Sequence, residues 1–359
     1  MVDKQSAPEN RADDDRCVGS ADTDRLRRFL AAAPGRRDAA LAVVNGLFGD
    51  RLDDQASSLA TSMTLRSGTD ALDLNRDSLV LESPRATSRI AILVHGLMAN
   101  ESVWDFPDDP GTNYGTLLAR DHGVTPLLVR YNSGRHVSVN GRELARLLDQ
   151  LVAVWPVQIR DITLIGHSMG GLVIRSACHY ASVAKPRRNF SSRRRSWISK
   201  TRRVVLIGVP NTGAPLEMLV NVASAALWSL PTMATQLVSV GLDTRSAGIR
   251  DLRFGAVTDE DWQGLDSDSL QRPVPHHVTL PRRAACLIIA GGVTAEPSHP
   301  ITRLLGDAFV TTSSASGVRN GATGDGLFPG STLRYFPNAT HIALAHRADV
   351  YEEIERWWS

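Results

Sequence analysis

Residues 162–176 read ITLIGHSMGGLVIRS. Four apolar or β-branched residues run into Gly166-His167-Ser168-Met169-Gly170, a G-x-S-x-G arrangement. What this means depends on its surroundings. Between a strand and a helix, the serine stands on a strained turn with its Oγ exposed. Gly166 and Gly170 then leave room for strand and helix to cross closely. Elsewhere the same letters are only a serine in a turn, so the rest of the chain decides.

Continuous apolar runs recur along the chain at Arg89–Val94, Pro126–Arg130, Ile162–Ile165, Val204–Ile207, Cys286–Ala290 and Leu333–Phe336. Such runs suit parallel strands covered on both faces. Shorter extended segments are expected at 62–66 and 71–74. Helical periodicity fills Gly141–Val154, Gly171–Tyr180 and the tail from Asp349 to Trp358. Strands alternating with helices predict an α/β fold, a mostly parallel central sheet flanked by helices. Ser168 falls at the carboxyl end of a central strand, just before a helix. The motif has its context.

Composition narrows the class. Lys and Arg number 40 against 38 Asp and Glu, so no global nucleic-acid footprint exists. Cys17, Cys178 and Cys286 are too scattered for a metal site and read as reduced thiols. The first 20 residues lack an apolar core, which predicts a disordered tail (1–20) and a cytoplasmic protein. No apolar run is long enough to span a bilayer. A single domain is expected over 21–359, opening with a helical extension at 21–60. Two segments interrupt the alternation. Residues 185–203 hold nine basic residues and no acid. They read first as a solvated insertion and second as a weak contact with anionic membrane surfaces. Residues 216–241 are apolar and read as a helical cap, within 214–245, above the carboxyl ends of the strands.

A serine hydroxyl needs a base within hydrogen-bond reach, and the base an orienting acid. In a sheet of this kind the chain order is serine, acid, histidine. His341 follows the last strand across a short loop and is the expected base; His346 reads as a surface group in the helix beyond. The oxyanion of a tetrahedral intermediate needs donors. Backbone N–H groups of Leu97, after the first strong strand, and of Met169, after the serine, are expected there. His95 reads as a scaffold for the donor loop. Two acids compete for the third role. Asp325 lies only eight residues before the last strand, leaving no room for a helix between, whereas Asp307 lies 34 residues before His341.

The stretches VHGLMANESVW (94–104), YNSGRHVSVNGREL (131–144), LIGHSMGGLVIRSACHY (164–180), IGVPNTGAPLE (207–217), RSAGIRDLRFG (245–255) and LLGDAFVTTSSASG (304–317) together resemble the bacterial lipase and esterase branch of the α/β-hydrolase superfamily. The likeness runs from about residue 40 to the end. It implies a serine carboxylic-ester hydrolase that acts on acyl esters or lipids, with Ser168 as nucleophile, His341 as base and Leu97 and Met169 as oxyanion donors. The run after Asp307 resembles the acid segment of such lipases, with Ala308 in place of a glycine, so Asp307 is the expected acid. Asn211 replaces a histidine usual in this branch. Ala343 stands where secreted relatives carry a calcium-binding aspartate, so neither metal nor cofactor is expected. An acyltransferase on the same residues, or a catalytically silent lipid-binding relative, are the alternatives.

Overall fold

The protein is described by a computed structural model over residues 34–184, 196–215, 246–264, 275–318 and 326–358. The tail at 1–20, residues 185–195 of the basic segment, residues 216–245 of the expected cap and Asp325 lie outside the described residues.

Each apolar run forms a strand: β1 (Thr64–Ser67), β2 (Asp70–Ala71), β3 (Arg89–Val94), β4 (Thr125–Arg130), β5 (Asp161–His167), β6 (Thr201–Ile207), β7 (Ala285–Gly292) and β8 (Thr332–Pro337). They make one sheet in the order β2-β1-β4-β3-β5-β6-β7-β8. Pairings from β4 through β8 are parallel, and only β1 and β2 join antiparallel.

Period-two alternation sends neighbouring residues to opposite faces. On one face Ile90, Ile92, Val94, Leu164, Val204 and Leu206 pack beneath helices α1 (Pro34–Asp54), α4 (Val137–Val154) and α5 (Met169–Val183). On the other, Ala91, Leu93, Ile165, Val205, Leu287 and Ile289 pack beneath α3 (Tyr114–His122) and α9 (Ala348–Trp358). Burying each large aliphatic side chain contributes about 1.5–3 kcal/mol. Both faces are therefore needed apolar, which is why the runs do not alternate in polarity. Short helices α2 (Arg76–Glu82), α6 (Ala247–Phe254), α7 (Pro300–Leu305) and α8 (Thr312–Ala315) complete the described chain.

The basic segment ends earlier than its charge suggests. Residues 201–203, read from sequence as insertion, are the first three of β6, preceded by one 3-10 turn over Trp197–Lys200. Two features hold them there. Trp197 is fully buried, and Arg203 reaches Asp161 of β5 (3.2 Å) and the Trp358 carbonyl of α9 (2.9 Å), with its guanidinium over the Trp358 ring. An arginine can thus occupy the outer end of a buried strand while keeping its charge partnered.

The order in which strands are added reverses about β3 and β5: β3 leads to β4 on one side, and β5 leads to β6 on the other. The crevice beyond their carboxyl ends is where open α/β sheets bind ligands. Among the described residues, no helix is long and apolar enough to cross a membrane.

Candidate active site

Ser168 joins β5 to α5 with φ +54° and ψ −127°, a conformation costing a non-glycine residue on the order of 1–3 kcal/mol. Its N–H donates to the Ile207 carbonyl at 2.9 Å, tying the turn to β6. Two close approaches make the turn possible. A Cβ at Gly170 would lie 2.1 Å from the Val94 carbonyl oxygen, and one at Gly166 would lie 2.6 Å from Gly171 Cα. Any side chain there would push α5 off the sheet. Ser168 Oγ makes no hydrogen bond among the described residues.

His341 and Asp307 meet across the loops after β8 and β7. His341 Nδ1–H donates to Asp307 Oδ2 at 2.9 Å, and the His341 N–H donates to the Asp307 carbonyl at 2.9 Å. The other carboxylate oxygen, Oδ1, accepts from the N–H groups of Phe309 (3.0 Å) and Val310 (2.8 Å). Both residues are buried. This arrangement fixes one imidazole tautomer, leaving Nε2 as the proton acceptor. The ring lies beside Gly208, the residue that follows Ile207: a Cβ at Gly208 would stand 3.2 Å from His341 Nδ1 and Cε1. Ser168, bound to Ile207, and His341, packed on Gly208, therefore stand beside consecutive residues at the carboxyl end of β6. The structure shows no hydrogen bond between Ser168 Oγ and the imidazole.

The turn that carries Asp307 is strained. Ala308 has φ +82°, the left-handed side of the map, at the position where related lipases place glycine. Left-handed backbone costs an L-residue about 1–2 kcal/mol. Against this stands about 0.5–1 kcal/mol for the extra freedom of glycine in the unfolded chain. Ala308→Gly should therefore stabilise the protein by about 0.5–1 kcal/mol. Denaturant unfolding measures it, and a stability loss in the variant would contradict the strain assigned here.

The loop after β3, where the oxyanion donor Leu97 is expected, is held by His95 and Tyr131. His95 is fully buried, its Nδ1–H donating to the Gly96 carbonyl at 2.9 Å, and its ring stacks on Tyr131 at 4.4 Å. Burial pushes its pKa down to about 4, so it stays neutral and structural. The Tyr131 hydroxyl donates to the His95 carbonyl at 2.8 Å. Neither the Leu97 N–H nor the Met169 N–H has a hydrogen-bond partner among the described residues.

Three neighbours were not assigned these contacts from sequence. His167 Nε2–H donates to the His341 carbonyl at 3.0 Å, and the two rings lie 4.8 Å apart. Burial, with the adjacent His341, holds His167 well below the usual histidine range, so it acts as a neutral prop. Its only sequence signal is its place as the variable residue of the motif. Asn211 donates to the Ala315 carbonyl at 2.7 Å and accepts from buried Arg175 at 3.2 Å, stitching α5 to α8. His346, expected in a helix at the surface, is instead half-buried at the end of a 3-10 turn (Ala343–Ala345). Its Nδ1–H donates to the Val103 carbonyl at 3.0 Å, which stops the turn two residues before α9 begins.

Several solved structures are similar to this chain at low identity. A lipase from Bacillus licheniformis in mature form is 16% identical, with TM-score 0.45 over 82% of this chain and 97% of the other. An esterase from Rhodococcus sp. ECU1013 is 16% identical, with TM-score 0.42 over 76% and 91%. EstA from Clostridium botulinum is 14% identical, with TM-score 0.41 over 76% and 88%. No curated protein matches the sequence. The model of the alpha/beta hydrolase family matches residues 91–354, from β3 into α9, and the chain belongs to that family.

Proposed function

We propose that the protein is a serine carboxylic-ester hydrolase. Ser168 is the nucleophile, His341 the general base, Asp307 the orienting acid, and the Leu97 and Met169 N–H groups the oxyanion donors. The observation that carries this reading is the buried His341–Asp307 pair, 2.9 Å apart, at the same end of β6 as a serine on a strained turn. Ser168 keeps a strained backbone while its Oγ makes no hydrogen bond among the described residues, which supports a role for that oxygen in attack.

In the reaction, His341 Nε2 takes the Ser168 hydroxyl proton as Oγ attacks the acyl carbon. The carbonyl oxygen becomes an oxyanion facing the Leu97 and Met169 N–H groups, which have no hydrogen-bond partner among the described residues. Collapse expels the alcohol, which takes the proton from His341, and leaves an acyl-serine. Water then repeats the cycle and frees the acid. The Oγ–Nε2 hydrogen bond must form in the substrate complex, as catalytic hydrogen bonds often tighten only there. Exposed Ile342 beside His341, and Phe309 at 5.0 Å from its ring, put apolar surface next to the reacting atoms. This favours esters with an apolar acyl or alcohol group.

A ladder of p-nitrophenyl esters of increasing chain length, with and without a serine-directed fluorophosphonate, tests the reading. Turnover that the phosphonate stops is the expected result. Turnover that survives stoichiometric phosphonylation, or no turnover at any length, would refute it.

A further inference from the structure

Two sequence stretches, YNSG at 131–134 and RSAG at 245–248, have no part in the chemistry above. Ser133 stands in the loop between β4 and α4, almost wholly buried. Its Oγ accepts the Met98 N–H at 3.0 Å. Met98 directly follows Leu97 and has φ +57°, a left-handed conformation that a methionine keeps only when its surroundings impose it. Met98 also packs closely on α1: a Cβ at Gly46 would lie 2.3 Å from Met98 Cγ and 2.9 Å from its Cα and N.

The loop that carries Ser133 is itself anchored from three helices. Asn132 donates to the Gly49 carbonyl of α1 (2.8 Å), and Asn140 of α4 donates to the Asn132 carbonyl (2.9 Å). The Gly248 N–H of α6 donates to the Gly134 carbonyl at 3.0 Å. Ser246, at the start of α6, donates to the Gly46 carbonyl at 2.7 Å, closing the bracket onto α1.

We infer that Ser133 is a positioning residue for the oxyanion donor at Leu97, acting through Met98. This rests on the proposed ester-hydrolase reading of the site. The Ser133 hydroxyl holds the Met98 amide, and the Gly46 face of α1 packs against it. Together they keep the backbone at 97–98 in the one conformation that turns the Leu97 N–H toward Ser168. Removing the hydroxyl leaves a buried N–H without its acceptor and lets the strained residue relax. A donor displaced by about 1 Å loses much of its hold on a developing oxyanion while contributing little to ground-state binding.

The test compares wild type, Ser133→Ala and Ser133→Thr as full chains on one p-nitrophenyl ester, with melting temperatures alongside. In Ser133→Ala, kcat should fall about 10- to 100-fold with KM within about twofold, and Ser133→Thr, which keeps the acceptor, should recover most of the loss. A Ser133→Ala enzyme with kcat within twofold of wild type would overturn the assignment, as would a loss that appears mainly in KM. If Ser133→Ala does not fold, Gly46→Ala decides: its added methyl pushes on Met98 from α1. It should lower kcat at least tenfold at constant KM, and unchanged kcat would overturn the proposal. A wild-type chain that neither turns over esters nor takes a phosphonate at Ser168 would instead remove the reading of the site itself, and this assignment with it.

Discussion

Ser168→Ala should abolish ester hydrolysis, with kcat reduced on the order of 10⁶, while the melting temperature should stay within about a degree or two of wild type. The size of the kinetic effect follows from the chemistry. Without the nucleophile no acyl-enzyme forms, and the remaining donors and binding surface give only a small residue of the full rate. The expected stability follows from the geometry. Ser168 Oγ has no hydrogen-bond partner among the described residues, so alanine forfeits none. Its φ of +54° strains alanine as it strains serine, and the N–H to Ile207 is kept. Such a change lies within about ±0.5 kcal/mol. Mass spectrometry of the fluorophosphonate adduct supplies the second measurement: wild type is labelled at Ser168 alone, and the variant not at all. An active Ser168→Ala protein, or labelling of another serine, would refute the assignment of the nucleophile.

The sheet is legible in the sequence because its strands are buried on both faces. In RIAILV and ITLI every residue but Arg89 and Thr163 is apolar, and a nearly continuous apolar run of that length fits few other structures. Elements whose place is set by distant partners are harder to read. Helix α6 spans AGIRDLRF, two arginines and an aspartate in eight residues, and no apolar run marks it. Asp251 is nevertheless fully buried, because it accepts the Val137 N–H at 2.8 Å and faces His136 Nδ1 at 3.0 Å across more than a hundred residues. No local pattern announces such a pairing. The basic segment fails to mark the start of β6 for the opposite reason. Charge is a strong local signal, yet Arg203 finds its partners on neighbouring elements, Asp161 of β5 and the Trp358 carbonyl of α9. In the site, Ser168 and His341 stand out through motif and chain order. His167 does not, since its role depends on a carbonyl 174 residues away.

Asp307→Asn should lower kcat at neutral pH on the order of 10⁴, while Asp325→Asn should change it by much less than tenfold. Asp307 is held so that an amide in its place has one orientation. Oδ1 receives the Phe309 and Val310 N–H groups, so the asparagine oxygen must take that position and its NH₂ must face His341. An NH₂ cannot accept the Nδ1–H. The imidazole then moves its proton to Nε2 to receive the new donor at Nδ1, and the nitrogen that should deprotonate Ser168 already carries a hydrogen. Imidazolium formed during the reaction also loses its compensating charge. The loop itself should survive, because the hydrogen bonds to Phe309 and Val310 and the backbone bond from His341 to Asp307 remain. Folding should therefore be close to wild type, and KM should change far less than kcat. Asp325 lies too close to β8 in the chain to lead through a helix to it, and the His341 imidazole is already hydrogen-bonded to Asp307. The paired kinetics are decisive because both residues are aspartates preceded by glycine, and both variants remove one negative charge. If Asp325→Asn shows the larger loss, the acid lies in the loop just before β8, and the contact between His341 and Asp307 is structural.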